Sequence, residues 1–241
     1  MKNLKKYFKA LPLFLLSSLF IIFSPKQDIY IKLIITLIFH EMGHLFFMSL
    51  FNIKINYFRL SILGGTIDTK MNLAIIPEII IYLGGIIFNI ITVLFPHLYY
   101  YSLILIIFNL LPIYPLDGFN IYKRVLAYFI NYHMVLYISY IFSIIICIIL
   151  IIISIIYFNA LIIINILYSL ILSINGLKNI NQEYYSFIID KYLTNDNKRI
   201  KFLYRYIKYP FYKYHRSIIY DNNRIITDRE ILDYRFAIKE K

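Results

Sequence analysis

Apolar residues fill this chain in long blocks separated by short polar punctuation, at positions 4–23, 29–51, 73–95, 98–111, 132–157 and 160–174. A helix rises about 1.5 Å per residue, so blocks approaching 20 residues match the roughly 30 Å hydrocarbon core of a bilayer. The pattern predicts six transmembrane helices. Between the second and third blocks the period changes. Ile53-Lys54-Ile55-Asn56-Tyr57-Phe58-Arg59-Leu60 alternates partly at period two, and Gly64-Gly65 precedes Thr66-Ile67-Asp68, which predicts a small β-hairpin within 52–72. Such a hairpin either offers an edge to an extended peptide or simply connects two spans. The fourth block runs into Asn109-Leu110-Leu111-Pro112-Ile113-Tyr114-Pro115-Leu116-Asp117-Gly118. Two prolines three apart forbid regular helix there. Asp117 is therefore expected on unwound backbone at membrane depth, a state tolerated only inside protein or beside a wet cavity. A short helix follows over 118–131, carrying Lys123 and Arg124. The stretch 177–241 has no spanning run and reads as a basic, tyrosine-rich, partly helical appendage to the membrane domain of 1–176.

Composition sharpens this picture. The 241 residues are 61% hydrophobic with a mean hydropathy of +0.69, whereas soluble domains run nearer 45–50% apolar. The fold class expected is an all-α integral membrane protein of six transmembrane helices with a small β-hairpin after the second. Lys2, Lys5, Lys6 and Lys9 ahead of the first block resemble the start of a signal peptide, but Leu19 to Lys26 offers no small-x-small cleavage site, so this block is read as a retained span. The net charge of +12 bears on topology. With the N-terminus cytoplasmic, the inside segments hold every Lys and Arg except Lys26 and Lys32, as the positive-inside rule requires. Both termini are then cytoplasmic. The basic tail flanks spans and alternates with Tyr, Ile and Asp, which points to anionic lipid headgroups as partners and not to nucleic acid. Cys147 stands alone, excluding an intramolecular disulfide and a cysteine metal site.

The candidate chemistry sits in the second block, in Phe39-His40-Glu41-Met42-Gly43-His44. Four residues apart, His40 and His44 project from one helix face and can share a metal ion, with Glu41 on a neighbouring azimuth. H-E-x-x-H on a helix is the signature of zinc metalloproteases, whose Glu serves as general base. Ionisable groups in a spanning helix are costly and mark function by default. The predicted topology puts the cytoplasmic ends of spans two and four on one side, so Asp117 is placed to supply a third ligand, leaving the open fourth position of a catalytic zinc site. Gly84-Gly85 in span three would admit close approach of another helix. Asn89, one turn on, could hold a substrate strand or stabilise an oxyanion, or else make a helix–helix hydrogen bond. Glu78 is read as structural, or as lining substrate access. His97, His133 and His215 fall at a loop, a span start and the tail, and are read as interfacial or solvated.

Three segments in order, Phe39 to His44, Gly84-Gly85-Ile86-Ile87-Phe88-Asn89 and Asn109 to Gly118, resemble the site-2 protease family of intramembrane zinc metalloproteases. The six-span plan without an inserted domain between the His pair and Asp117 is most similar to the stage IV sporulation protein FB branch. The resemblance covers about residues 1–176. It implies His40, His44 and Asp117 as zinc ligands, Glu41 as the catalytic acid and base, and Asn89 and Asn109 as supporting residues. It also implies a bacterial cell-membrane protease that cuts a transmembrane or membrane-associated protein near the cytoplasmic face, with a sporulation pro-sigma factor as one such substrate and a membrane-borne inhibitory partner as one form of control. The tail lacks the clear CBS domain of that branch. The competing reading is a zinc-binding membrane transporter or a catalytically inactive scaffold; transporters often carry internal repeats, and none is visible.

Overall fold

A computed structural model of the chain describes residues 27–53, 57–61, 64–68, 73–156, 160–193, 199–203, 210–221 and 224–237. The expected first span, 4–23, lies outside them. The chain divides into two compact units. The first comprises Met1–Leu111 with Leu116–Gly118, and the second comprises Pro112–Pro115 with Phe119–Lys241.

The first unit is organised on helix α1, Gln27–Leu50. Its largely apolar sequence, interrupted by His40, Glu41 and His44, ends at Asn52, which takes the left-handed conformation with φ 52°. The N–H of Asn52 bonds the carbonyl of Ser49 at 3.0 Å and that of Ile53 bonds the carbonyl of Met48 at 3.0 Å. That pair of bonds is the Schellman closure, with asparagine in the place glycine usually takes. Strands β1, Tyr57–Ser61, and β2, Gly64–Asp68, pair antiparallel with Tyr57 opposite Asp68 and Ser61 opposite Gly64. Helix α2, Ile75–Val93, carries Pro77 in its first turn, where a missing N–H costs little. It lies hard against α1 where two glycines meet. A Cβ on Gly84 would stand 2.7 Å from the carbonyl oxygen of Gly43 and 2.8 Å from Phe47, and a Cβ on Gly43 would run into the Gly84 carbonyl. Without side chains at this crossing the backbones themselves touch, as small residues permit between membrane helices.

Helix α3, Tyr99–Leu110, is tied to α2 by the Thr92 and Ser102 hydroxyls at 2.7 Å. Its 12 residues reach only about 18 Å, short of the roughly 30 Å expected of a full fourth span. Helix stops at the prolines as expected, but it resumes sooner. Asp117 is the first residue of helix α4, Asp117–Phe129, and not part of the unwound stretch. Past Pro115 nothing denies the helix, and a carboxylate in a first turn is favoured by the exposed N–H dipoles.

The second unit holds the rest of α4, helix α5, Tyr132–Ile156, and helix α6, Ala160–Lys178. Helices α5 and α6 meet along small residues: the Ser143 and Ser173 hydroxyls lie 2.8 Å apart, and Gly176 leaves room for the Tyr140 ring. Helix α6 continues past the expected span end at 174, then bends by 62° into helix α7, Ile180–Leu193. Glu183 of α7 pairs with Lys123 of α4 and accepts a hydrogen bond from the Tyr140 hydroxyl at 3.0 Å. Burial alone would raise the Glu183 carboxyl; the charge of Lys123 and the two hydrogen bonds outweigh it and hold the group below the ordinary glutamate value.

The tail was expected to be partly helical, and it also builds a sheet. Strand β3, Arg199–Leu203, lies parallel to β4, His215–Asp221, which pairs antiparallel with β5, Arg224–Thr227; helix α8, Asp228–Ala237, follows. Leu203, Tyr212 and Ile219 form its core with Ile226 and Ile231. The N–H of Tyr132 donates to the Phe211 carbonyl at 3.0 Å and the Lys201 ammonium to the Phe129 carbonyl at 2.8 Å, fixing this sheet at the N-terminal end of α5.

Among the described residues three helices are long and apolar enough to cross a membrane, Asp28–Leu50, Ile75–Val93 and Tyr132–Ile156, and the bent pair α6–α7 makes a fourth if it counts as one span. Their exposed faces are apolar, as in Ile38, Phe46, Ile90, Ile149 and Ile152. A water-soluble protein would not leave such stripes uncovered.

Candidate metal centre

Three ionisable side chains of the first unit meet at one point. His40 and His44 stand one turn apart on α1 and are 3% and 7% exposed. Asp117, at the start of α4, turns its carboxylate to both. Its Oδ2 lies 3.0 Å from His40 Nε2 and 3.2 Å from His44 Nε2, and the two Nε2 atoms are 3.3 Å apart. The local sequence explains half of this, because i, i+4 spacing puts the two imidazoles on one face of the helix, edge to face. The other half comes from the break after α3. Gly118 is pressed against the carbonyls of Leu110 and Leu111, where a Cβ would not fit, and this fold of the chain sets Asp117 beside the histidines.

The donor set fits a metal ion. An ion about 2.0–2.1 Å from each of its ligands in tetrahedral geometry holds them roughly 3.3 Å apart. The three spacings found, 3.0, 3.2 and 3.3 Å, are close to that value. Two imidazoles and a carboxylate are also the mixed nitrogen and oxygen set that zinc accepts with one position left open. Space for the two Nε2 atoms is kept by Gly85, whose Cβ, if it had one, would stand 2.6 Å from both.

Each histidine is held from behind. His44 Nδ1 lies 2.8 Å from the carbonyl oxygen of Ile81 in α2. A carbonyl can only accept, so this nitrogen carries the ring proton and Nε2 presents its lone pair to the site. His40 Nδ1 lies 3.1 Å from the side-chain amide of Asn89, also in α2. Asn89 itself is fully buried. Glu41 follows His40 on α1 and is 9% exposed. Asn109 is buried at the end of α3, where its amide donates to the Leu105 carbonyl of its own helix at 3.1 Å. Glu78 is fully buried in the first turn of α2.

The remaining histidines stay out of the cluster. His97 is exposed in the turn after α2, His133 packs edge-on against Tyr184, and His215 lies tilted against Tyr128 and edge-on to Tyr212. Two features of the site had no sign in the sequence pattern. The Ile81 carbonyl is backbone and leaves no mark on residue type. Gly85 reads as a packing glycine, and only the coordinates show that the space it leaves belongs to the histidines.

No protein-family model matches the sequence, and no curated protein does. Among solved structures, the chain is similar to the site-2 protease from Methanocaldococcus jannaschii, with a TM-score of 0.52 and 22% identity over 69% of this chain and 86% of that one. At that identity the likeness speaks for the fold, and the chain is a membrane protein built on an architecture similar to that of this site-2 protease.

Proposed function

We propose that this chain is an intramembrane zinc metalloendopeptidase. The observation that carries the reading is the meeting of His40, His44 and Asp117 at the spacing a tetrahedral ion requires, with Glu41 adjacent in sequence to the first ligand. A zinc ion bound there supplies a Lewis acid and lowers the pKa of water toward 7. Glu41 takes a proton from the attacking water as the C–O bond forms, then delivers it to the amide nitrogen as the C–N bond breaks. His40, His44 and Asp117 would hold the ion, and Gly85 leaves room for the two imidazoles to stand against α2.

The substrate is a transmembrane or membrane-associated protein cut near the cytoplasmic face, with both termini of this enzyme cytoplasmic and anionic lipids around its basic tail. Hairpin β1–β2 follows the helix that bears the histidines, and an edge of it would suit an extended segment, since strand addition supplies main-chain hydrogen bonds without demanding a sequence. The resemblance of its motifs to the sporulation branch is what extends this proposal to a sporulation pro-sigma factor as a substrate. The test is co-expression with candidate membrane-tethered substrates, read by fragment size. The native chain should cut, and Glu41→Gln should keep its zinc and lose cleavage; full cleavage by that variant would remove Glu41 from the role, and zinc uptake into proteoliposomes with no cleavage would favour a transporter.

A further inference from the structure

Asn89 is a polar side chain of α2 set against a candidate ligand, and its surroundings define what it does there. It is fully buried, and its Nδ2 lies 3.1 Å from His40 Nδ1. On its other side Oδ1 meets no hydrogen-bond partner among the described residues. Nothing beyond the amide therefore fixes which way it faces, and His40 alone decides. The two ends of an amide have nearly the same shape, so turning it by half a revolution exchanges a donor for an acceptor at the same place.

The imidazole sets the requirement. To offer the Nε2 lone pair to a metal, His40 must carry its proton on Nδ1, and that proton needs an acceptor in a dry interior. His44 has the Ile81 carbonyl for this purpose. At His40 the equivalent place is taken by Asn89. With Nδ2 turned toward Nδ1 the ring is held with its proton on Nε2, facing Asp117, a tautomer that cannot ligate. With Oδ1 turned toward Nδ1 it can.

We propose that Asn89 is the positioning residue of His40: its amide oxygen accepts the Nδ1 proton and so holds the ring in the tautomer and orientation that ligate metal. This rests on the metallopeptidase reading above and departs from the expectation that Asn89 serves a substrate strand or an oxyanion, because a fully buried amide engaged with the His40 ring is not presented to a substrate.

Zinc affinity, measured on purified protein in detergent by competition with a chromophoric chelator, tests it without reference to cleavage. Asn89→Leu keeps the volume and removes the acceptor, and zinc binding should weaken about 10–100-fold, the usual cost of losing a partner behind a metal-bound histidine. Asn89→Asp restores an acceptor and should bind zinc as tightly as the native chain. A residue that merely fills space would give the reverse, with leucine harmless and a buried carboxylate harmful. Native affinity in Asn89→Leu, or weakened affinity in Asn89→Asp, overturns the inference; if the leucine variant does not fold, the aspartate variant decides alone. A native chain that binds no zinc overturns the metallopeptidase reading and this inference together, whereas native binding unaffected by Asn89→Leu overturns this inference only.

Discussion

His40 and Asp117 are 77 positions apart in the chain, yet Nε2 of one and Oδ2 of the other stand 3.0 Å apart in the interior of one compact unit. A histidine and an aspartate sharing a buried site are each costly to bring there, and the cost is offset when a cation lies between them. The break between α3 and α4, closed by Gly118 against the carbonyls of Leu110 and Leu111, serves that meeting.

Asp117→Asn should remove one ligand and leave the fold. Zinc affinity is expected to fall by more than about 100-fold, beyond the loss typical for a partner outside the ligand set. Metal content after size exclusion in detergent checks it, and zinc retained at native stoichiometry would take Asp117 out of the ligand set.

Gly85→Ala and Gly84→Ala, adjacent in sequence, should fail in different ways. A methyl at 85 lands 2.6 Å from both ligating nitrogens, so zinc and cleavage are lost first. A methyl at 84 lands on the Gly43 carbonyl and Phe47 and separates α1 from α2. Overpacking of that kind costs about 1–3 kcal/mol, read as a lower melting temperature of metal-free protein in detergent. Equal loss of zinc and equal loss of stability in the two variants would deny the distinction.

Metal should stabilise the fold by mass action. At zinc held near 100 times its dissociation constant the native chain should gain about 2.7 kcal/mol over the chelated protein. Glu41→Gln should show the same gain and Asp117→Asn almost none. Thermal melts with and without chelator separate the three.

The Lys123 and Glu183 pair predicts an acid dependence in the second unit. The folded-state pKa of Glu183 lies below its ordinary 4.5, so the carboxylate contributes stability above the unfolded value that is lost as pH falls through the folded one. At pH 7 Glu183→Gln should destabilise by about 1–2 kcal/mol, the value of hydrogen bonds to a charged group discounted because the side chain is partly exposed. The gap between variant and native melts should close as the pH is lowered past 4.5, and a gap that is constant with pH would exclude the charge as its origin.

Much of this site was legible in residue order because its elements are local. Spacing of four puts His40 and His44 on one face whatever else the chain does, and Pro112 and Pro115 end a helix wherever they occur. Where helix begins again was not legible, and Asp117 proved to be inside α4. The tail sheet was missed because β3, β4 and β5 are 5, 7 and 4 residues long, too short for alternation to stand out, and β3 joins β4 in parallel through pairing that no neighbouring residue announces.

The sequence by itself determined the apolar blocks, the paired imidazoles and the small residues that let helices close, since each follows from periodicity or from the size of one side chain. Only the tertiary structure decided that a carboxylate from beyond α3 meets those imidazoles, that the Ile81 carbonyl stands behind His44, and that Asn89 faces His40. The reason is physical: a donor distance of about 3 Å between remote positions is set by how whole helices pack, and packing is a property of the assembled interior that no stretch of chain contains alone.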